Sequence, residues 1–328
     1  MRVMFLGDVM LGRLVNEYLT TAPPESPWGD TLAVLRSADA LFINLECVLS
    51  DRGAPWPQKP FTFRSDAKNV AVLTAARVTA TSLANNHSLD YGPEALLDCL
   101  AGLRAHAILP AGAGPSMDAA QAPAVATVGE VRVAFVAFTD DVPAWEAGAA
   151  APGVFHVPLS ATPVQVDDPR FGTLLRIIES ARAQSDLVIV SAHWGPNWGA
   201  VPLAEHTRAA HLFIDRGADV VFGHSPHIVR GVEIYRQRAI LYSCGDYVDD
   251  YAVDAAQRND ESGIFSLDYD SGRLRQIIFI PTLITRFQAR LARGPGREHM
   301  LRKMQTSCAR LGTAGEEAPE GLRIPVSA

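Results

Sequence analysis

The chain has 328 residues, enough to bury a sizeable core, and 48% of them are hydrophobic whereas 20% are charged. This composition is typical of a globular protein and excludes disorder over most of the length. The formal net charge of -7 argues against a nucleic acid or an anionic membrane as a partner held through a broad basic surface.

Cysteine usage and hydropathy bear on where the protein acts. The 4 cysteines show no CxxC spacing, which argues against a cysteine zinc cage or a redox dithiol and favours a reducing compartment. No apolar run approaches the roughly 18 residues of a membrane span. The amino terminus also lacks the small-residue cleavage pattern of a signal peptide. We therefore expect a cytoplasmic protein without a membrane span.

Short apolar runs without strict alternation are typical of strands buried on both faces. Five such runs span residues 3–6, 40–43, 78–83, 187–191 and 219–222. Between some of them, apolar residues three and four apart predict amphipathic helices over 171–184 and from Leu203 to a stop at Gly217. Strands that alternate with helices predict βαβ units and a largely parallel sheet.

From residue 131 onward, further apolar runs on turn-like connectors predict a second sheet, mixed or antiparallel. Its strands are expected over residues 131–138, 232–235, 239–243, 263–269 and 274–280. The stretch 149–170, rich in Pro and Ala, is predicted to be a long loop. Residues 286–328 are expected to form a C-terminal extension, a loosely attached helix followed by disorder, after a main domain over 1–285.

A polar side chain with metal-binding or acid–base chemistry follows each of the five buried runs. These side chains are Asp8, Glu46, Asn86 with His87, His193, and His224 with His227. Strands of a parallel sheet end at one edge, where ligands bind, so we expect these groups to converge. Buried polar groups need partners, and carboxylate, amide and imidazole donors without thiolate suit Mn, Fe or Zn. The sequence therefore predicts a site for divalent metal ions.

Each motif alone has a plain structural interpretation. Gly7-Asp8 is typical of a turn, Asn85-Asn86-His87 of a loop, and a single histidine such as His193 of a surface or half-buried position. The stretch Gly223-His224-Ser225-Pro226-His227 is more specific, because a tight turn around the proline aims two imidazoles together. The prediction of a site depends on the combination of these motifs.

At these residues the chain resembles the CapA family, the poly-γ-glutamate capsule proteins within the calcineurin-like metallophosphoesterase superfamily. The matching stretches are residues 5–13, 44–46, 82–92, 193–195 and 217–227. The resemblance implies a four-layer α/β/β/α sandwich over roughly residues 1–280, in agreement with the two predicted sheets. Beyond residue 280 no resemblance is found.

The resemblance also implies roles for the individual residues in a two-metal site. Glu46 would bridge both ions, with Asp8 and His227 completing the first, and Asn86, His193 and His224 the second. Two ions would activate a hydroxide that attacks a phosphoester, and His87 would protonate the leaving oxygen. Arg13 would either contact a substrate phosphate or carboxylate, or form a surface salt bridge.

The chain departs from the superfamily pattern at four places. Met10 occupies a position that usually carries His, Glu46 replaces the usual bridging Asp, and His224 and His227 are three residues apart rather than two. The first metal therefore has fewer ligands, which leaves binding of one ion instead of two as an alternative. Asp246 replaces the usual Asn, a change that could alter substrate polarity.

Three functions remain open on this basis. The first is a metal-dependent phosphoesterase acting on a phosphorylated small molecule. The second is a capsule-synthesis component that binds a γ-glutamyl polymer at the metal site without cutting a phosphoester. The third is a degenerate, structural site, because Met10 replaces a ligand. Relatives of the second kind are usually membrane-anchored, so the lack of an anchor favours the first.

Overall fold

The computed structural model describes residues 1–159 and 168–326 of a mixed α/β protein. In chain order its strands are β1 (Arg2–Val9), β2 (Ala40–Leu45), β3 (Val48–Leu49), β4 (Arg64–Ser65), β5 (Ala80–Ser82), β6 (Leu109–Ala111), β7 (Ala113–Gly114), β8 (Ala124–Val128), β9 (Val131–Thr139), β10 (Gly153–Val154), β11 (Leu187–His193), β12 (Val220–His224), β13 (Val232–Tyr235), β14 (Arg238–Leu241), β15 (Asp246–Val248), β16 (Glu261–Asp270), β17 (Arg273–Thr285), β18 (Gln288–Leu291), β19 (Glu316–Glu317) and β20 (Leu322–Pro325). The helices are α1 (Arg13–Tyr18), α2 (Leu32–Leu35), α3 (Val70–Ala75), α4 (Gly92–Ala105), α5 (Met117–Gln121), α6 (Pro169–Gln184), α7 (Ala204–Asp215) and α8 (Gly294–Arg310), with 3-10 turns at Ser26–Thr31, Ala67–Asn69 and Pro143–Trp145.

Most strands belong to two large sheets. The first has the order β19-β20-β17-β16-β1-β2-β5-β6, with β15 also pairing β1 and β18 pairing β17. The second has the order β13-β14-β12-β11-β9-β8. In both, the strands nearest the middle are parallel: β1 pairs β2, and β11 pairs β9 and β12, in parallel register. The carboxyl ends of these strands are where the polar motifs lie.

The predicted strands form, but their distribution between the sheets differs from the expectation. The first three buried runs lie in β1, β2 and β5 of the first sheet, whereas the other two lie in β11 and β12 of the second. The antiparallel strands β16 and β17, expected in the second sheet, extend the first one instead. An apolar run indicates burial but not which neighbour it pairs with, because pairing is decided by long-range packing.

The two sheets are joined by a shared aromatic core. The ring centroids of Phe5 and Phe222 lie 5.2 Å apart, and those of Phe42 and Phe135 lie 5.1 Å apart, so each pair links a strand of one sheet to a strand of the other. Residues alternating with these point away from the shared core and pack with helices: Met4 and Leu6 share a cluster with α4. In the second sheet, Val188 and Val190 share a cluster with α6 and α7.

The predicted helices follow from local signals. The side chain of Asp168 accepts a hydrogen bond from the backbone N–H of Arg170 (2.8 Å), and Pro169 occupies the first turn, so α6 begins as the sequence indicates. Gly217, with φ of +111°, follows α7 in the left-handed region that favours glycine. Within the described ranges, no helix combines the length and apolar character needed to cross a bilayer.

The C-terminal residues are not loosely attached, so that expectation is wrong for 294–326. Helix α8 buries Met300, Leu301, Met304 and Cys308, and β20 pairs β17 with Ile324 opposite Ile277. Buried Leu322 and Ile324 alternate with exposed residues, which is why this polar-looking tail adds a strand to a sheet.

The domain boundary at residue 285 stays a prediction. Of the expected loop 149–170, residues 160–167 lie outside the described residues, and β10 lies within the rest.

Candidate metal centre

The first sheet brings two carboxylates together at the carboxyl ends of β1 and β2. Asp8 is the penultimate residue of β1, and Glu46 directly follows β2. Asn44, the register partner of Asp8, donates its amide N–H groups to Asp8 Oδ1 (2.8 Å) and to Glu46 Oε2 (3.2 Å). All three residues are buried, so one asparagine holds both carboxylates side by side.

The loop after β5 adds Asn86 and His87, and Asn85 holds this loop in place. The Asn85 amide donates to Asn44 Oδ1 (3.0 Å) and to the carbonyl oxygen of Leu45 (2.9 Å), while its own oxygen accepts from the backbone N–H of His87 (3.0 Å). Sequence reasoning missed the roles of Asn44 and Asn85. Their positions in sequence could have indicated these roles, because Asn44 precedes Glu46 by two residues and Asn85 directly precedes Asn86.

The second sheet contributes two imidazoles from neighbouring strands. His193 ends β11 and His224 ends β12, and the two residues are register partners. Their Nδ1 atoms lie 2.9 Å apart, and the Ser191 hydroxyl lies 2.7 Å from His224 Nε2. The predicted convergence at one place therefore takes place between two sheets, not along one edge of a single sheet.

Asp246, which in sequence is only a departure from the superfamily pattern, is part of the cluster. It begins β15, is the parallel register partner of Asp8, and accepts a hydrogen bond at Oδ1 from His227 Nδ1 (2.8 Å). The same His227 nitrogen is 3.5 Å from Asp8 Oδ2. The signal for Asp246 was a second Gly-Asp pair, Gly245-Asp246, which repeats Gly7-Asp8.

Among the residues that the structure describes, two sets of three side chains have donor atoms within 4.8 Å of one another, close enough to hold a cation. They are Asp8, His193 and His224, and Asp8, His227 and Asp246. Glu46 belongs to neither set but lies beside Asp8 through their common partner Asn44. Asp8 is thus the residue common to both sets.

Buried oxygen atoms without partners provide an independent test of whether a metal ion fits. These atoms, which accept no hydrogen bond from the described residues, include Asp8 Oδ2, Glu46 Oε1, Asn86 Oδ1 and Asp246 Oδ2. Leaving such atoms unpaired is costly, and a cation is the partner that satisfies several at once. The nearby sulfur atoms are engaged elsewhere: Met10 Sδ accepts from Gly12 N–H (3.1 Å) and Cys47 Sγ from Leu11 N–H (3.4 Å). The residues therefore fit a divalent cation bound by oxygen and nitrogen.

Burial and mutual charge shift the pKa values of the cluster. Burial raises the pKa of Asp8 to about 6, against the opposing effect of His227, and burial with the charge of Asp8 raises the pKa of Glu46 well above its usual range. Burial lowers the pKa of His193 well below 6.5 and that of His224 to about 3. Burial opposes the charged form of His227, but Asp246 and Asp8 outweigh it and raise its pKa to about 9.

His87 lies next to the carboxylates with its ring held on one side. Its Nδ1 is 2.6 Å from Asp90 Oδ2 and 3.1 Å from Lys59 Nζ, and the ring stacks on Phe63 with centroids 4.0 Å apart. The other ring nitrogen, Nε2, is 3.8 Å from Glu46 Oε1. Burial lowers the pKa of His87 to about 4, so the ring is neutral at pH 7.

Above the cluster opens a cleft of about 460 Å³ with cationic and aromatic walls. Its lining includes Arg13, Lys59, Phe61, His87, Trp198 and Tyr251. Arg13 forms a salt bridge with Asp250 (3.2 Å) and also lines the cleft, so its contact with a substrate stays a prediction. Lys59 forms an ion pair with Asp90 in the same way. The cleft is therefore suited to an anionic ligand with some apolar surface.

Comparison with known proteins finds relatives among capsule and polymer synthesis proteins. Residues 2–251 match the bacterial capsule synthesis protein family PGA_cap. A probable polyglutamine synthesis accessory protein of Mycobacterium tuberculosis is 35% identical over 308 residues, covering 90% of this chain and 80% of that protein. The PGA biosynthesis protein CapA of Bacillus subtilis is 28% identical over 249 residues, covering 75% of this chain and 62% of that protein.

A solved structure supports the fold but not the chemistry. A hypothetical protein from Thermus thermophilus superimposes with a TM-score of 0.53 at 17% identity, covering 87% of this chain and all of the other. The likeness shows that a protein with a very different sequence has the same kind of α/β fold. The family match over three quarters of the chain and the relative at 35% identity are the stronger findings. Together they show that this chain belongs to the CapA family of bacterial capsule synthesis proteins.

Proposed function

We propose that this protein is a metal-dependent component of capsule-polymer synthesis that binds a γ-glutamyl chain at the cleft. The family membership and the names of its relatives support a role in polyglutamate-type synthesis. The observation that carries the proposal is the set of four buried, unpartnered oxygen atoms among the histidines at the floor of the cleft. Divalent ions, which we expect to be Mn, Fe or Zn, would satisfy them. Within this proposal the fold is a four-layer α/β/β/α sandwich.

The metal ligands in this proposal are those indicated by the resemblance: Asp8, Glu46, Asn86, His193, His224 and His227. When bound, divalent cations supply positive charge that attracts and orients anionic oxygen atoms. Without that charge, the positive charge of His227 is balanced by Asp8 and Asp246, so the cluster below the cleft would not attract an anionic chain. Binding of a polyglutamate chain is therefore expected to depend on metal.

The walls of the cleft suit the rest of such a ligand. Arg13 and Lys59 present a guanidinium and an ammonium group to the cleft, and each would donate hydrogen bonds to a carboxylate of the chain. Phe61 and Trp198 are 61% and 41% exposed, and their rings would contact the methylene groups of the polymer main chain. The polar and apolar parts of a γ-glutamyl polymer thus each have partners.

A second candidate is hydrolysis of a phosphoester at the same site, and the placement of His87 favours it. The ring is fixed by Asp90 at Nδ1, while Nε2 lies 3.8 Å from Glu46 and borders the cleft. An imidazole so placed can exchange a proton with an oxygen atom of a bound ester. Arg13 would hold a phosphate oxygen in this case.

Fluorescence anisotropy with a labelled poly-γ-glutamate oligomer tests the first candidate. We expect binding in manganese that is lost in a chelator, and a dissociation constant about tenfold higher for Arg13→Gln, a change of about 1.4 kcal/mol. Arg132→Gln is the matched control, because Arg132 is exposed on β9 and does not line the cleft. Equal binding with and without chelator would refute metal-dependent binding of the polymer.

A panel of phosphomonoesters and phosphodiesters, assayed in manganese, tests the second candidate. Turnover that His87→Ala abolishes and His211→Ala preserves would support hydrolysis, because His211 lies on α7 paired with Glu233. Turnover that persists at the wild-type rate in His87→Ala would rule out the role proposed for His87. Metal-dependent polymer binding that persists in His87→Ala would favour the polymer-binding candidate over hydrolysis.

A further inference from the structure

Asp8 and Asp246 form a pair of carboxylates with one free oxygen each. The two residues are opposite each other in the parallel pairing of β1 with β15, and both are buried. Asp246 Oδ1 is engaged by His227 Nδ1 at 2.8 Å, whereas Asp246 Oδ2 and Asp8 Oδ2 accept no hydrogen bond from the described residues. Two free carboxylate oxygens therefore lie beside one imidazole.

The backbone is built for this close approach. Asp8 N–H donates to the carbonyl oxygen of Gly245 (2.8 Å). A Cβ atom at Gly7 would lie only 1.7 Å from that same oxygen, so only glycine allows the two segments to come so near. The two Gly-Asp pairs thus place their aspartates side by side.

The set of Asp8, His193 and His224 offers a cation different donor atoms from the set of Asp8, His227 and Asp246. His193 and His224 contribute imidazole nitrogens, and Asp8 supplies the only carboxylate of that set. The set on the Asp246 side has two carboxylates and one imidazole. Carboxylate oxygen suits Mn²⁺, whereas imidazole nitrogen suits Zn²⁺ and Fe²⁺.

From this asymmetry we propose that Asp246 is a metal ligand and that the centre has two unequal positions, an oxygen-rich one that selects Mn²⁺ and a nitrogen-rich one that selects Zn²⁺. The inference rests on the proposed metal centre and goes beyond it. Asp8 is shared by the two positions. Asp246 supplies an additional donor beside Asp8 and His227, where Met10 stands in place of the usual histidine and its Sδ accepts from Gly12 N–H.

A purely orienting role for Asp246 is the alternative. Carboxylates often accept a hydrogen bond from a metal-binding histidine and so fix its ring. That role uses one oxygen atom, and Asp246 already provides it through Oδ1. It does not account for Oδ2, which is buried without a partner among the described residues. Direct binding of a cation accounts for both oxygen atoms.

Metal analysis of two reciprocal variants tests the proposal without any activity assay. Because Zn²⁺ binds most sites more tightly than Mn²⁺, the metal-free protein is incubated with one equivalent of ZnCl₂ and an excess of MnCl₂, and bound metal is measured by mass spectrometry. We expect one Mn and one Zn per wild-type chain. Asp246→Asn, which keeps the shape and the acceptor for His227 and so preserves an orienting role, is expected to retain Zn and lose Mn. His193→Asn is expected to retain Mn and lose Zn.

Anomalous scattering at the Mn and Zn edges on wild-type crystals locates each ion independently of any variant, so the proposal remains testable if Asp246→Asn fails to fold. Wild-type affinity for Mn in a folded Asp246→Asn variant, or the same metal at both positions, would overturn the inference while leaving the proposed metal centre intact. Wild-type protein that binds neither ion would overturn both.

Discussion

The Nδ1 atoms of His193 and His224 face each other at 2.9 Å across the last residues of two parallel strands. Two neutral imidazoles at this distance share one hydrogen, and burial keeps the pKa of both rings low. The pair therefore carries little positive charge at pH 7, and a bound cation would replace the hydrogen between the two Nδ1 atoms. A divalent cation therefore meets no positive charge from these two rings.

Divalent metal is expected to stabilise the fold. At a free metal concentration about 100 times the dissociation constant, binding adds about 2.7 kcal/mol, which corresponds to an increase in Tm of about 5 °C for a chain of this size. Differential scanning fluorimetry with Mn²⁺ or Zn²⁺ against a chelator measures the shift. His224→Ala should reduce it, whereas His211→Ala, which alters a histidine outside the cluster, should leave it unchanged.

Metal affinity is expected to fall as the pH is lowered from 8 to 6. The pKa of His227 is raised to about 9 and that of Asp8 to about 6, so both groups hold protons that a cation must displace. His227 is protonated throughout this window, and Asp8 becomes increasingly protonated towards its lower end. Affinity should decrease about tenfold per pH unit for each proton released. Calorimetric titration with Mn²⁺ at three pH values measures this, and a flat profile would contradict it.

Gly7→Ala is expected to disrupt the centre. The added Cβ would meet the Gly245 oxygen at 1.7 Å, so β1 and the segment before β15 must separate. We expect a loss of about 3 kcal/mol or more in the free energy of unfolding, together with weaker metal binding. Urea denaturation and calorimetry measure the two effects.

The matched control for this change is Gly102→Ala in helix α4. A Cβ at Gly102 meets no atom within 4 Å, and the residue lies inside a helix. This substitution should raise the free energy of unfolding by about 0.5 to 1 kcal/mol. If both variants changed stability by the same amount, the close approach at Gly7 would not be the cause.

Leu301→Ala tests the attachment of the C-terminal helix. Leu301 is buried where α8 contributes to the core shared by the two sheets, so its truncation should cost about 2 to 5 kcal/mol in the free energy of unfolding. The neighbouring exposed residue provides the control, and Arg302→Ala should change stability by less than about 0.5 kcal/mol. A loosely attached tail would instead leave the stability of Leu301→Ala unchanged.

Much of the first sheet could be predicted from sequence because its signals are local. A buried run such as that of β1 identifies itself by its apolar residues, and the Asp or His that follows marks where the strand ends. The membership of β16 and β17 was predicted wrongly, because an antiparallel strand carries no mark of the sheet it joins. The strand β20 was missed because its apolar residues are only two, Leu322 and Ile324, in a polar tail.

The sequence by itself determined the buried strands, the amphipathic helices, the polar groups at strand ends and the family, since each of these depends on the order and spacing of neighbouring residues. Only the tertiary structure decided that His193 and His224 reach Asp8 from a second sheet, and that Asp246 joins them. Residues 238 positions apart in the chain become register partners only after two strands pair. Such proximity arises from packing across the whole chain, which local sequence patterns do not encode.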